Sequence, residues 1–491
     1  MSLLEIIILL PLVAAAVIGF GAPARLVGRA AAAATAVLGF GAAWSFGQGQ
    51  NLAMSRVILD SPKIAFAVGT DGVSLTLVLL TVLVLLAAIW QIQDKPAMYY
   101  VSSLLIAGGA LGAFLSTDVF FMYAFHELAL IPTLLMIAVH GHGDATTRRA
   151  TAWKITVYLG VGSLILLAGL AALVLNFSDG TGLTFDLVAL KKTAASSPLP
   201  VETQGWLFFL LLIGFGTLVS LFPLHTWAAP AYAAAPTPVA MLHAGVLKKF
   251  GLYGLIQIAL PLLPQGAKVE WVQNALLLML VGNIIVVGLV TIHAERLDTL
   301  LGNSSVMHMG YIFLGIAAGS PIALNGAVLL MFAHGISIAL LFALCGRMRA
   351  QLGTLEFSRL GGLAANAPVM SVLFAFGAFA SIGLPGLANF AGEVMVFVGS
   401  FDHSVADLTT GLKNIHWATI FALWGVVMSA VYMLRAYRNL FFGNASKGLF
   451  ITDVGMAQRF PFLLLVVTLL VVGCCPGLLT DLIQSAFASS K

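Results

Sequence analysis

The sequence predicts an all-α polytopic membrane protein of about fourteen transmembrane helices, with two inverted five-helix repeats and with the seventh and twelfth helices broken. Three observations predict it. The 491 residues are 60% hydrophobic and only 9% charged, and their mean hydropathy is +1.04, which excludes an ordinary soluble domain of this size. Fourteen apolar runs, each long enough to cross a bilayer, are separated by polar residues or by Gly and Pro. Two of these runs are interrupted internally by proline and glycine.

In chain order the runs fall at about 2–21, 27–46, 73–92, 98–116, 118–139, 152–176, 205–229, 237–263, 271–293, 297–318, 322–347, 367–400, 416–437 and 460–482. The first carries Glu5 where a signal peptide would have a basic residue, so it reads as an uncleaved span. The chain reads as one integral domain: runs 1–3 within residues 1–97, a first five-run unit at 98–263, a second at 271–437, and a last run at 460–482. Run 7 reads GFGTLVSLFPLHTWAAPAY, with Pro223 and Pro230. Run 12 reads FASIGLPGLANFAGEVMVF, with Gly383, Pro385, Gly386 and Gly392. Proline removes a backbone donor and clashes with the preceding turn, so both helices should break and leave carbonyls that must face protein or water. Breaks at matching places in two units point to inverted repeats and to a transport site beside them.

Fourteen Lys and Arg, among them Lys95, Arg148 and Arg347, fall in loops after odd-numbered runs. Seven, among them Arg56, Lys63 and Lys191, fall after even-numbered ones. The positive-inside rule then places both termini outside the cytoplasm. The two remaining basic residues, Lys248 and Lys249, lie inside run 8. Of the acids, Glu127 in run 5 and Glu393 in run 12 lie at depth, whereas Glu5 and Asp118 sit near run ends and are expected to be solvated. Ionisable groups at mid-membrane are costly and mark ion routes; the alternative is a protonated carboxyl acting as a hydrogen-bonding link between helices. His225, His243, His308 and His334 add groups that titrate near neutrality along the central runs. His140, His142, His293, His403 and His416 lie near run ends or in loops and are expected at the surface. His126 points about 100° away from Glu127 on a helix, so it either tunes that carboxylate or serves another face. The three cysteines, Cys345, Cys474 and Cys475, form no CxxC or Cys/His spacing, so any electron-transfer cofactor is expected on another subunit.

From about residue 70 to 440 the chain resembles the antiporter-like membrane subunits of respiratory complex I, most closely the M-type (mitochondrial subunit 4 type) branch. The resemblance is carried by HELALIPTLLMI at 126–137, FPLHTW at 222–227, AGVLKKFGLYG at 244–254, SSVMHMGY at 304–311, MFAHGISIALLF at 331–342 and SIGLPGLANFAGE at 381–393. It implies proton translocation driven by quinone reduction elsewhere in a complex, in a bacterial inner membrane. Quinone, flavin and iron–sulfur clusters would sit on partner subunits, the partners would be other membrane-arm and peripheral-arm subunits, and no nucleic acid would be involved. It assigns the relay to Glu127, Lys249, His308, His334 and Glu393. It also exposes departures: the span-7 lysine that pairs with the span-5 glutamate in the family is Leu218 here, His126 replaces a tryptophan, and Asp298 and Thr299 replace a basic pair. Lys248 and His243 are extra polar groups on span 8, and Lys248 is a candidate replacement partner for Glu127. Two other readings stay open: a subunit of a multisubunit cation/proton antiporter or membrane-bound hydrogenase, and a structural paralogue that no longer pumps.

Overall fold

The computed structural model describes residues 1–178, 182–402, 411–444 and 451–488; His403 lies outside the described residues. The chain is built of α1 (Leu3–Gly19), α2 (Ala24–Gly47), a hairpin of β1 (Met54–Asp60) and β2 (Lys63–Val68), then α3 (Gly72–Gln91), α4 (Ala97–Leu115), α5 (Val119–His140) and α6 (Ala145–Phe177). There follow α7 (Leu187–Ser196), α8 (Val201–Val219) and α9 (Ala228–Ala234), then α10 (Thr237–Leu262), α11 (Glu270–Ile292), α12 (Leu297–Ala318) and α13 (Pro321–Leu352). The last five are α14 (Pro368–Ile382), α15 (Ala388–Asp402), α16 (Asn414–Phe441), α17 (Phe460–Cys474) and α18 (Gly477–Ala488).

Among the described residues, eleven helices are long and apolar enough to cross a membrane, or twelve if the bent pair α17 and α18 is one span, rather than fourteen. The difference has local causes. Run 12 divides into α14 and α15, each too short alone, and α1 stops at Gly19 after 17 residues. Run 14 bends by 69° where Cys475 and Pro476 separate its two helices. The helices start where the sequence supplies caps. Asp71 and Ser74 form a capping box on α3, and Asp118 and Asp144 accept from the first backbone amides of α5 and α6.

Helices α3, α10, α12 and α13 are enclosed nearly all round, whereas α2, α5, α6 and α16 keep a broad outward face. This fits the apolar composition, because helices hydrophobic on every side can be buried on every side. Small residues bring the central helices together: a Cβ on Gly335 of α13 would meet the carbonyl oxygen of Gly245 of α10 at 2.6 Å. That crossing sets Lys249 and His334 on neighbouring turns of touching helices.

Periodicity did not reveal the β1–β2 hairpin or α7, which fill loops after even-numbered runs. The hairpin corrects the expectation of solvated acids. Glu5 is buried, with Arg56 of β1 3.5 Å from its carboxylate. Asp118 is also buried and accepts hydrogen bonds from the amides of Ala65 and Phe120 at 3.0 Å. Burial pushes the Asp118 carboxyl above its ordinary range against the pull of those amides.

Candidate functional site

The centre of α10 winds as a π-helix over His243–Leu247. A π-turn shifts each backbone bond by one residue and is frequent at functional sites. Here the carbonyl of His243 takes the amide of Lys248, and the carbonyl of Ala244 accepts from the Lys249 ammonium at 2.7 Å. Both lysines are buried. Lys248 reaches the other way, to the carbonyl oxygen and hydroxyl of Ser305 on α12 at 3.1 and 3.2 Å, with its ammonium 5.7 Å from the Tyr232 ring centroid. Lys248 is therefore not the partner of Glu127: adjacent residues point about 100° apart, and α12 captures it. His243 stacks on Trp227 at 5.6 Å, and Trp227 is tied to the Thr217 carbonyl at 3.0 Å.

His308 follows Ser305 by one turn of α12. Its Nδ1 lies 2.7 Å from the Ser304 carbonyl oxygen and its Nε2 2.8 Å from that of Ser381. Ser381 belongs to the last turn of α14, just before the break at Gly383, so the break supplies a free carbonyl to the ring. The His334 ring stands edge-on to His308 at 5.3 Å, and neither of its buried nitrogens has a hydrogen-bond partner among the described residues. Lys249 and Lys248 both act electrostatically on it.

The same break seats Glu393. Gly383 has φ +81°, and a Cβ there would meet Oε2 of Glu393 at 2.2 Å, so the carboxylate of α15 packs directly against the end of α14. Two hydroxyls lie around it that the sequence reading did not single out. Tyr311 stands edge-on to His308 at 5.6 Å, and Tyr432 is hydrogen-bonded to Ser304 at 2.9 Å. Glu393 acts electrostatically on both. Tyr311 lies within the SSVMHMGY motif and was visible there; Tyr432 sits in an apolar run with no local signal. Lys249, Lys248, His308, His334 and Glu393 thus form one buried polar line across α10, α12, α13 and the α14–α15 break.

Glu127 stands apart from this line. Its side chain is 31% exposed, on the outward stripe of α5 that includes Phe120, Ile131 and Leu135. Ser163 of α6 donates a hydrogen bond to Oε1 of Glu127, and the Ser163 and Tyr123 hydroxyls are 3.2 Å apart. Leu218 is buried on α8 with no polar role. His225 sits between α8 and α9, stacked on Phe222 at 5.4 Å.

A further residue missed in the sequence is Asn283, an amide in the apolar middle of α11. It donates to the carbonyls of Ser220 at 3.1 Å and Val306 at 2.9 Å and accepts from the Phe222 amide. It therefore fixes the α8–α9 break to α12. At the membrane face with the most basic loops, Asp298 is buried between Arg296, at 2.9 Å, and Arg349, and Arg349 also holds the Ala233 carbonyl at the end of α9 at 2.8 Å. The hydrogen bond from Arg296 to Asp298 raises its pKa above the usual guanidinium value. His142, expected at the surface, is partly buried beside this cluster; burial and then the Arg349 charge push it down to about 4. His416, also expected at the surface, is buried. Among the described residues, no three His, Cys, Asp or Glu side chains converge as metal ligands.

Residues 116–413 match the family described as "NADH:quinone oxidoreductase/Mrp antiporter, TM". NADH-quinone oxidoreductase subunit M of Pseudomonas aeruginosa is 33% identical over 428 residues, covering 85% of this chain and 81% of that one. NAD(P)H-quinone oxidoreductase chain 4 3 of a Picosynechococcus species is 35% identical over 398 residues, covering 80% and 69%. In structure, a chain of respiratory complex I from Thermus thermophilus superposes with a TM-score of 0.87 at 29% identity, over 99% of both chains. A chain of the Mrp complex of a Dietzia species shares the fold, with a TM-score of 0.86 at 20% identity over 100% and 98%.

Proposed function

The chain belongs to the transmembrane family shared by NADH:quinone oxidoreductases and Mrp antiporters, and from that premise we propose that it is the M-type antiporter-like subunit of a complex I type NADH, or other donor, quinone oxidoreductase. It moves protons across the bilayer while the redox chemistry takes place on other subunits. Its enzyme activity is that of the complex, and quinone, flavin and iron–sulfur clusters belong to the membrane-arm and peripheral-arm partners. The finer architecture we propose is fourteen spans in one domain, counting α1, the α8–α9 pair, the α14–α15 pair and the α17–α18 pair as one each. In it the units 98–263 and 271–437 are inverted repeats, and both termini lie outside the cytoplasm of a bacterial inner membrane.

The observation that carries the mechanism is the buried line from Lys249 and Lys248 through Ser305, His308 and His334 to Glu393. Lysine, imidazole and carboxylate can each bind and release a proton, and the serine and tyrosine hydroxyls between them both donate and accept. Charge at one member changes the proton affinity of the next at low dielectric, so a proton arriving at Lys249 favours release toward His308 and Glu393. Glu127 forms the entry of a first half-route, with His243 and His225 as additional titratable groups along it. The test is proton translocation per electron in membrane vesicles carrying the assembled complex. Lys249→Ala and Glu393→Gln should each lower it by about tenfold or more, and unchanged pumping in both, with normal assembly, overturns the reading. A second reading, a paralogue that no longer pumps, is favoured by Leu218 alone, and that unchanged result would establish it.

A further inference from the structure

We propose that His126 is the proton carrier that joins Glu127 to the titratable face of α10, an inference that rests on the relay reading above. The argument begins with what surrounds Glu127. Helix α8 contains no Lys, Arg or His between Val201 and Val219. Helix α6 carries Arg148, Arg149 and Lys154 only in its first turns, and Lys154 is bound to the Thr226 carbonyl at 2.9 Å. Across α4 the ionisable side chains are Tyr99 and Tyr100, both in its first turn. Among the described residues the ion-pair partner of Glu127 is His126, with Nδ1 3.4 Å from Oε1.

The two side chains face opposite environments. Glu127 lies on the outer stripe of α5, whereas His126 is 2% exposed. The imidazole lies flat on Phe250 of α10, with ring centroids 4.1 Å apart and planes at 18°. Phe250 adjoins Lys249 in sequence, and His126 acts electrostatically on His243. Nδ1 of His126 is buried, and the Glu127 carboxylate, 3.4 Å away, is the polar group it faces. A ring held in plane by stacking, with one nitrogen toward a carboxylate and its other edge in the core, is the arrangement of a group that transfers protons.

The proton balance closes. A protonated Glu127 gives its proton to Nδ1, leaving a carboxylate and an imidazolium. The imidazolium releases the Nε2 proton toward α10, where a neutral Lys249 amine or His243 ring takes it up. A half-turn about χ2 keeps the stack on Phe250 and presents a free nitrogen to Glu127 again.

The experiment uses the assembled complex in vesicles, with Glu127→Gln and His126→Phe. Phenylalanine keeps a flat ring on Phe250 but cannot take a proton. Protons pumped per electron should fall by about tenfold or more in both variants, and the pH profile of pumping should change in His126→Phe. Parent-like pumping in His126→Phe while Glu127→Gln is impaired overturns the role of His126 and leaves the relay standing. An impaired His126→Phe that keeps the parent pH profile shows a packing role and also overturns it. Parent-like pumping in Glu127→Gln overturns the first half-route itself.

Discussion

Gly383→Ala tests whether the position of the Glu393 carboxylate, rather than its mere presence, sets the rate. Gly383 closes α14 at φ +81°, and a methyl group there would meet Oε2 of Glu393 at 2.2 Å. Ordinary contact needs more than 3 Å, so the carboxylate must move by about 1 Å, which its flexible side chain permits. The left-handed backbone adds about 1–2 kcal/mol of strain for alanine. Gly386→Ala is the matched control: its φ is +90°, and nothing lies within 4 Å of the added methyl. Both variants should therefore lose similar stability, measured as the thermal midpoint of the purified complex. Only Gly383→Ala should lose proton translocation, by an amount approaching 10²-fold if a displacement of about 1 Å disrupts transfer as it does in other oriented reactions. Equal pumping in the two variants at equal stability would refute the reasoning.

Asn283→Leu keeps the side-chain volume but leaves the Phe222 amide and the Ser220 carbonyl without the side chain that pairs them and removes the link to the Val306 carbonyl; at about 1–3 kcal/mol for each buried orphan, the thermal midpoint should fall by several degrees, and a parent-like midpoint would show that the α8–α9 break is held by other contacts. His142 carries a pH prediction. Burial first and Arg349 second lower it from 6.5 to about 4, so its contribution to stability is complete above about pH 6.5 and is lost as the pH falls toward 4. The parent should therefore lose up to about 3 kcal/mol across that window, and His142→Gln should flatten the thermal midpoint against pH; superimposed curves would exclude the group.

Helix breaks were legible because proline and glycine act on their own backbone: Pro223 and Gly383 mark where α8 and α14 end, whatever surrounds them. The buried charges were legible by subtraction, because Lys248, Lys249, Glu127 and Glu393 interrupt apolar runs that otherwise read continuously. The environment of each charge was not. Glu5 and Asp118 looked solvated from their place near run ends, yet a hairpin with no helical period covers both. Asp298 stood out only as a departure from a basic pair, yet it is the anion between two guanidinium groups. Tyr432 and Asn283 carry no sequence signal, since their partners Ser304 and Val306 lie on another helix.

The sequence by itself determined that this chain is a bundle of apolar, membrane-spanning helices, that runs 7 and 12 break, and which residues could carry charge through it; the break in run 14 it did not determine. It determined these because hydropathy, proline geometry and the cost of a buried charge are properties of a local stretch of chain. Only the tertiary structure decided how each helix is rotated. A helix apolar all round has no stripe to say which side faces in, so nothing local distinguishes an outward Glu127 from an inward one. Packing placed Glu127 on the outer face, turned His126 onto Phe250, sent Lys248 to Ser305 and set Glu393 against Gly383. Each of those outcomes depends on side chains that meet only when separate helices cross.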